Sequence, residues 1–382
     1  MVDAVRTPYG RRGGALSVWH PVDLSAEMLS QLVGRAGVDG GAVDDVVLGC
    51  TTQVGAQACN IARRAVLAAG WPERVPGATV DRHAASSAQA VHWAAQAVMS
   101  GAQGLVVAGG VEVMTAVPLG ASLSVPSLGK PFGQRLQDRY KIANGAAGLV
   151  PPGLAAEEAA RRWSLDRSQL DRWALQSRER AYRAQRKRPS YMLALPGPAK
   201  TALAMDEALG RRSSRAEVAA LPPVYLEGGV VTAANMAAEG DGASGLLIAS
   251  ADRVAELALS PIARMVSFAT VGTDPLVWPA ATVPAAREAL DRAGLTADDI
   301  DWWEVHESSA VAVHVWLAEM KVNPDHVNPT GGALASTAPL GAVGAGLFVA
   351  AVSGLVDAGL RRALVCVAAE GGVGTACVLE AA

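Results

Sequence analysis

The stretch built for chemistry is Val80-Asp81-Arg82-His83-Ala84-Ala85-Ser86-Ser87-Ala88-Gln89-Ala90. Thr79 and Val80, both β-branched, lead into it, and an apolar segment from Ala88 to Met99 follows, closed by Ser100-Gly101. The pattern predicts strand, tight turn and helix, with Gly101 as the C-terminal cap. Ala88, Val91, Ala95 and Val98 recur at helical spacing, and the remaining faces are small and apolar too, so the helix is expected to be buried all round. A helix start inside a core suits a nucleophile. Its free N–H groups and positive dipole end stabilise an anion and would lower the pKa of a thiol placed there. The chain has four cysteines, Cys50, Cys59, Cys366 and Cys377, and their spacing fits no zinc motif, so no metal site is expected.

Stepping out from that turn, 382 residues suffice for a large core and two or three domains. A net charge of -3 offers no electrostatic case for nucleic acid or an anionic membrane. Met1–Arg6 has no apolar stretch of the kind that opens a secretory signal, so reduced thiols in a cytoplasmic protein are expected. Pro339–Val356 is free of charge and near the roughly 18-residue length of a membrane span. Gly341, Gly344, Gly346 and Gly354 interrupt it, and a strand-like run follows closely, so it reads as a buried helix and not as a membrane segment.

The elements that position the turn follow from pattern. Helix is expected around Leu24–Gly34, and strand over Asp44–Gly49 and the wholly apolar Gly104–Gly109. From about Ala116 to Glu239 the texture turns basic, proline-bearing and irregular. There Asp166 and Gln169 read as a capping pair, and Leu170, Trp173, Ala174, Ser177 and Ala181 mark one helical face. The Arg- and Lys-rich run Arg178–Arg188 reads as a solvated helix face. The second half repeats the first: Gly104-Leu-Val-Val-Ala-Gly-Gly pairs with Ala363-Leu-Val-Cys-Val-Ala-Ala, and Gly242-Ala-Ser-Gly-Leu-Leu-Ile with Gly374-Thr-Ala-Cys-Val-Leu. The helix after Ala84 pairs with the one after Pro339. Two such halves imply two mixed sheets enclosing their central helices.

Ser87, Gln89 and Ala90 resemble the nucleophile motif V-N-x-x-C-x-S-x-x-Q-A of the thiolases, the acetyl-CoA acetyltransferases and 3-ketoacyl-CoA thiolases. Ala4-Val5-Arg6-Thr7-Pro8-Tyr9-Gly10 resembles their opening, and Gly110-Val111-Glu112-Val113-Met114 their G-G-x-E-x-M. The resemblance covers nearly the whole chain. It implies an α/β thiolase fold: two repeated βαβαβ-type halves in a layered αβαβα sandwich with an inserted loop domain. The expected division is residues 1–115 plus 240–258 for the N-terminal half, 116–239 for the loop domain, and 259–382 for the C-terminal half. It also implies a homodimer or tetramer, no cofactor, and a coenzyme A thioester as the ligand to test. On that basis the basic run Arg178–Arg188 has a second reading, as a contact for coenzyme A phosphates.

A thiolase needs a thiolate that takes the acyl group, a histidine that lowers its pKa, a second cysteine that moves the α-proton, and oxyanion holes. Carried over by motif, the nucleophile position is Ala84. The N-E-A-F block falls on His306-Glu307-Ser308-Ser309, so the residue that would position an oxyanion-hole water is His306. Within G-G-A-x-A-x-G-H-P-x-G-A the catalytic histidine falls on Ala338. In C-x-G-G-G the second cysteine falls on Ala368, the first glycine on Glu370 and the last on Gly372. Cys366, about 6.6 Å up the same strand by strand rise, reads as a core residue. The loop that approaches pantetheine falls on Thr232-Ala233-Ala234-Asn235-Met236-Ala237-Ala238. Asn235, Met236, Ala237 and Gly372 are therefore the substrate-binding candidates.

Three functions compete. The first is a thiolase-family protein of lipid and acyl-CoA metabolism, inactive as a thiolase, that binds an acyl-CoA or a protein partner. The second is altered acid–base carbon–carbon chemistry of an aldolase type, with His83, Glu307 and Glu370 as replacement groups beside His306. The third is a genuine acetyl-CoA C-acyltransferase. For Glu307 a buried, backbone-bonded carboxylate is the favoured reading. Convergence of His306 and Glu370 on one pocket is the geometric requirement of the second.

Overall fold

The structure is a computed structural model that describes residues 1–125, 127, 129–140, 150–195, 203–210 and 213–382. Its strands are β1 (Asp3–Arg6), β2 (Gly10–Arg11), β3 (Asp45–Gly49), β4 (Gly77–Val80), β5 (Leu105–Val113), β6 (Gly240–Ala249), β7 (Ala263–Gly272), β8 (Trp302–Val305), β9 (Arg362–Ala369) and β10 (Val373–Ala381). They form two sheets, in the orders β1-β6-β5-β3-β4, with β2 beside β6, and β7-β10-β9-β8.

The internal repeat is visible in the pairing. In the first sheet β1, β6 and β5 run antiparallel in turn, and β5 runs parallel to β3. In the second, β7, β10 and β9 run antiparallel in turn, and β9 runs parallel to β8. The two runs matched at the sequence level, Gly104–Gly110 and Ala363–Ala369, thus fall on the equivalent strands β5 and β9. All nine residues of β5 are buried, as expected of a strand covered on both faces.

Two helices fill the space between the sheets: Ser86–Met99 and Leu340–Ala358. Ala88, Val91, Val343, Leu347, Phe348 and Val352 share one core with inward residues of both sheets. Pro21–Arg35 and Ile61–Ala68 cover the far face of the first sheet, where Leu24, Met28 and Leu32 meet Val46, Leu48 and Leu105. Thr282–Ala293 and Ala310–Met320 cover the second, where Trp316 meets Trp303 edge-on at 5.6 Å. The result is five alternating layers. Each fully buried Leu or Phe contributes roughly 1.5–3 kcal/mol of burial, so these three cores dominate stability.

Leu340–Ala358 has a mean hydropathy of 1.8 and is long enough to cross a membrane, but 72% of that window lies inside the fold. Its glycines explain the burial. A Cβ at Gly341 would strike the Val111 carbonyl, and one at Gly110 would strike the Gly341 carbonyl. Helix start and strand β5 therefore touch backbone to backbone. The Ser86–Met99 helix departs from expectation: Trp93 and Met99 are 46% and 60% exposed. Its first half lies under the sheet, and its last turns emerge on one side.

Between Val113 and Gly240 the described residues add no strand to either sheet. The capping pair forms there: Asp166 accepts from the Gln169 N–H at 2.9 Å and Gln169 accepts from the Asp166 N–H at 3.0 Å. The helix so started, Arg167–Gln185, buries Leu170, Trp173, Ala174, Ser177 and Ala181. Its basic run is not simply solvated. Arg178 bonds Ser213 at 3.2 Å and Arg180 donates to the Val327 carbonyl at 2.7 Å, so both guanidinium groups are committed within the fold.

Candidate active site

The turn after β4 keeps the geometry of a nucleophile support. His83 has a left-handed backbone, φ +48°, unusual for a residue with a Cβ. Three bonds hold it. The His83 N–H donates to Asp81 at 2.9 Å, Ser86 Oγ donates to the His83 carbonyl at 2.5 Å, and the Arg82 N–H donates to Ser86 Oγ at 2.8 Å. Ala84 stands at the tip, 6% exposed, just ahead of the helix that begins at Ser86. The bend survives, and the side chain it presents is a methyl.

Ala338 is presented by the second central helix, immediately before its N-cap Pro339. Its N–H donates to the Ala238 carbonyl at 2.8 Å, which joins this segment to the Met236-Ala237-Ala238 loop. Buried Glu112 anchors the helix start by accepting from the Gly341 N–H at 2.9 Å, Thr51 N–H at 2.8 Å, Thr52 N–H at 3.1 Å and Gln57 Nε2 at 2.6 Å. Thr337, at the motif's glycine position, has φ +85° and ψ 168°, a region that is essentially glycine's alone. A β-branched residue here carries backbone strain beside Ala338.

His306 follows β8 and is 1% exposed. Its N–H donates to the Cys366 carbonyl at 3.0 Å and its Nδ1 lies 3.3 Å from the Ala368 carbonyl. A carbonyl only accepts, so Nδ1 carries the proton and Nε2 keeps a lone pair. Burial pushes the imidazole down to about 4, with the Ala368 contact opposing. The ring is neutral at pH 7 and its Nε2 has no protein partner.

These groups enclose a cavity of about 90 Å³. His83, Ala84, His306, Ser308, Ala338 and Glu370 all line it, together with Met236, Ala237 and Trp278. Burial pushes the Glu370 carboxyl up, with His83 pulling the other way. Drug-sized ligands occupy roughly 300–1,000 Å³. The enclosed space thus holds a few heavy atoms of an acyl end and not a whole pantetheine arm. No cysteine lines it: Cys50, Cys366 and Cys377 are buried elsewhere, and Cys59 is exposed.

Four sequence-level candidates lie outside the cavity. Glu307 accepts from Trp173 Nε1 at 2.9 Å, Ser177 Oγ at 2.7 Å, Asn328 Nδ2 at 3.0 Å and the Leu334 N–H at 3.2 Å. It is a brace between the middle segment and the C-terminal half, not a replacement acid. Asn235 ties its loop to the Arg167–Gln185 helix, donating to Asp171 and the Val230 carbonyl at 3.0 Å and accepting from the Thr232 N–H at 2.9 Å. Gly372 has φ +80° and packs against the Thr273 backbone, where any Cβ would collide. Ala368 turns its methyl into a small apolar cluster with Trp278, Val150, Ala155 and Ala281, and meets the site only through its carbonyl.

Sequence reasoning missed Trp278. It stands between Pro275 and Pro279 in a kinked 3-10 segment, 4% exposed, and its Nε1 has no partner. A tryptophan held between two prolines was the available signal.

Comparison with known proteins follows the same layout. The family model "Thiolase, N-terminal domain" matches residues 1–252 and "Thiolase, C-terminal domain" matches residues 259–381. The chain is 41% identical to the steroid 3-ketoacyl-CoA thiolase FadA6 of Mycobacterium tuberculosis, over 91% of this chain and 85% of that one. It is 37% identical to a beta-ketoadipyl-CoA thiolase of Pseudomonas aeruginosa, over 92% and 90%. The crystal structure of the Bacillus anthracis acetyl-CoA acetyltransferase superposes with a TM-score of 0.87 at 30% identity, covering 100% of this chain and 98% of that one. With both halves matched, the strand order repeated and the relatives aligned nearly end to end, the chain belongs to the thiolase family.

Proposed function

We propose that this chain keeps the family's site for the acyl end of a CoA thioester and does not carry out thiolytic acyl transfer. One observation carries the reading. The positions for nucleophile, base and acid are Ala84, Ala338 and Ala368, and no cysteine lines the cavity that two of them face. An alanine methyl can neither attack a thioester nor move a proton. Removing one member of a comparable unit in a serine protease costs about a millionfold, so losing three leaves no room for a slow version of the same reaction. The relatives' names, all thiolases of CoA thioesters, support the ligand class. The test is thiolysis of acetoacetyl-CoA with free CoA, together with intact-protein mass spectrometry. The expected result is no turnover and no acyl adduct. Robust turnover with an acyl group trapped on any residue overturns the reading and makes the chain a working acyltransferase.

A second reading, acid–base cleavage of a carbon–carbon bond, is favoured by one feature: His306 and Glu370 line the same cavity. Within this proposal the chain divides at 1–115 plus 240–258, 116–239 and 259–382, acts in the cytoplasm, and assembles as a homodimer or tetramer.

A further inference from the structure

Three residues that line the cavity each carry a buried polar atom without a hydrogen-bond partner among the described residues: His306 Nε2, Ser308 Oγ and Trp278 Nε1. Their residues are 1%, 9% and 4% exposed. Buried polar atoms in native proteins are almost always satisfied, so three orphans on one small cavity are a demand for a ligand's polar group or for water. The chemistry of the demand is specific. Nε2 can only accept, because Nδ1 holds the proton against the Ala368 carbonyl. The indole N–H of Trp278 can only donate, and the Ser308 hydroxyl does either. A ketone or thioester oxygen only accepts and leaves Nε2 unmet. A saturated acyl chain meets none of the three. An ammonium donates but leaves the indole unmet and brings a charge into an apolar wall. A hydroxyl carries both roles, a donor for Nε2 and an acceptor for the indole N–H.

We infer that this site selects an acyl thioester bearing a hydroxyl on the acyl chain, a 3-hydroxyacyl thioester, over its 3-oxo and saturated counterparts. This rests on the acyl-binding reading given above. The volume agrees, since about 90 Å³ takes a hydroxyl and the two or three carbons beside it. All three atoms are shut off from bulk solvent, so a ligand reaches them only when the wall gives. Met236 on that wall is the unbranched, adaptable side chain that can yield.

The experiment is calorimetric titration of the full chain with 3-hydroxybutyryl-CoA, acetoacetyl-CoA and butyryl-CoA. The expected result is hydroxyacyl binding at least about tenfold tighter than either comparator, the worth of roughly one matched buried hydrogen bond. His306→Phe should abolish the preference, read as the ratio of the 3-hydroxybutyryl-CoA and butyryl-CoA dissociation constants. Trp278→Phe, which removes the indole donor and keeps an aromatic ring at the wall, should reduce the preference and serves if the first variant does not fold. Equal binding of all three, or tighter binding of acetoacetyl-CoA, means that water satisfies the three atoms and overturns the inference alone. Binding of none overturns the acyl-site reading and the inference with it.

Discussion

His306 donates from Nδ1 to the carbonyl oxygen of Ala368 at 3.3 Å. His306 follows β8 directly and Ala368 lies on β9, the parallel neighbour, with Val305 opposite Cys366 in the register. The bond uses only backbone from Ala368, so it is independent of the side chain that position carries. This is why the imidazole is held in one orientation, and why its other nitrogen is left without a partner among the described residues.

Restoring the nucleophile alone should not restore turnover. In Ala84→Cys the helix start and the strained His83 turn should activate the new thiol. Iodoacetamide labelling mapped by peptide mass is expected to mark position 84 faster than the three buried native cysteines. Thiolysis should stay undetectable, because position 338 still holds a methyl. Turnover in this single variant would show that His83 or His306 already supplies the base.

Position 337 should invert the usual order of small residues. Glycine ordinarily costs about 0.5–1 kcal/mol relative to alanine inside regular structure. At φ +85° and ψ 168° a Cβ costs about 1–3 kcal/mol instead. Thr337→Gly is therefore expected to be about 1 kcal/mol more stable than Thr337→Ala, both variants lacking the hydroxyl. Urea midpoints at constant slope measure it. Equal stability would remove the strain argument.

Glu304 should make the chain less stable as pH rises. Burial is the main cause that pushes its carboxyl from 4.5 up to about 8; the Trp302 indole, donating at 2.7 Å, opposes, and Glu307 adds to the rise. In the window between those values the folded chain holds a proton that the unfolded chain has released. Stability from this group is full below about pH 4.5 and is lost as pH rises to about 8, at about 1.4 kcal/mol per pH unit. Glu304→Gln removes the titration. Its stability relative to the parent should climb with pH across the window and level off above it, as read by denaturation at a series of pH values. A flat difference would contradict the burial argument.

Glu307 should matter for folding and not for ligand choice. Glu307→Ala strands four buried donors and is expected to cost about 3 kcal/mol or more. Glu307→Gln presents an amide where Ser177 Oγ and the Leu334 N–H both donate, so it should fall between parent and alanine. In Glu307→Gln the preference between 3-hydroxybutyryl-CoA and butyryl-CoA should be unchanged, because the carboxylate faces away from the cavity. A lost preference at intact stability would put Glu307 back in the site.

Much of this was legible from local pattern. The strand–turn–helix over residues 77–101, the Asp166 cap and the tight β9–β10 connection all depend on short-range spacing, turn chemistry and alternation. The reading of positions 84, 338 and 368 as those of nucleophile, base and acid rests on motif register alone. Burial of the whole first central helix was overcalled, since apolarity does not say how far a helix extends past its sheet.

The order of residues determined which side chains stand at 84, 338 and 368: three methyls, and no folding can supply an atom the chain does not encode. Tertiary structure decided which of the remaining polar groups share a space. Successive residues leave a chain in different directions, and their partners come from segments far apart in the sequence. So Glu307 turned to Trp173 and Ser177 while its neighbour His306 joined His83, Trp278 and Glu370. That division rests on packing across the two sheets, which no local pattern contains.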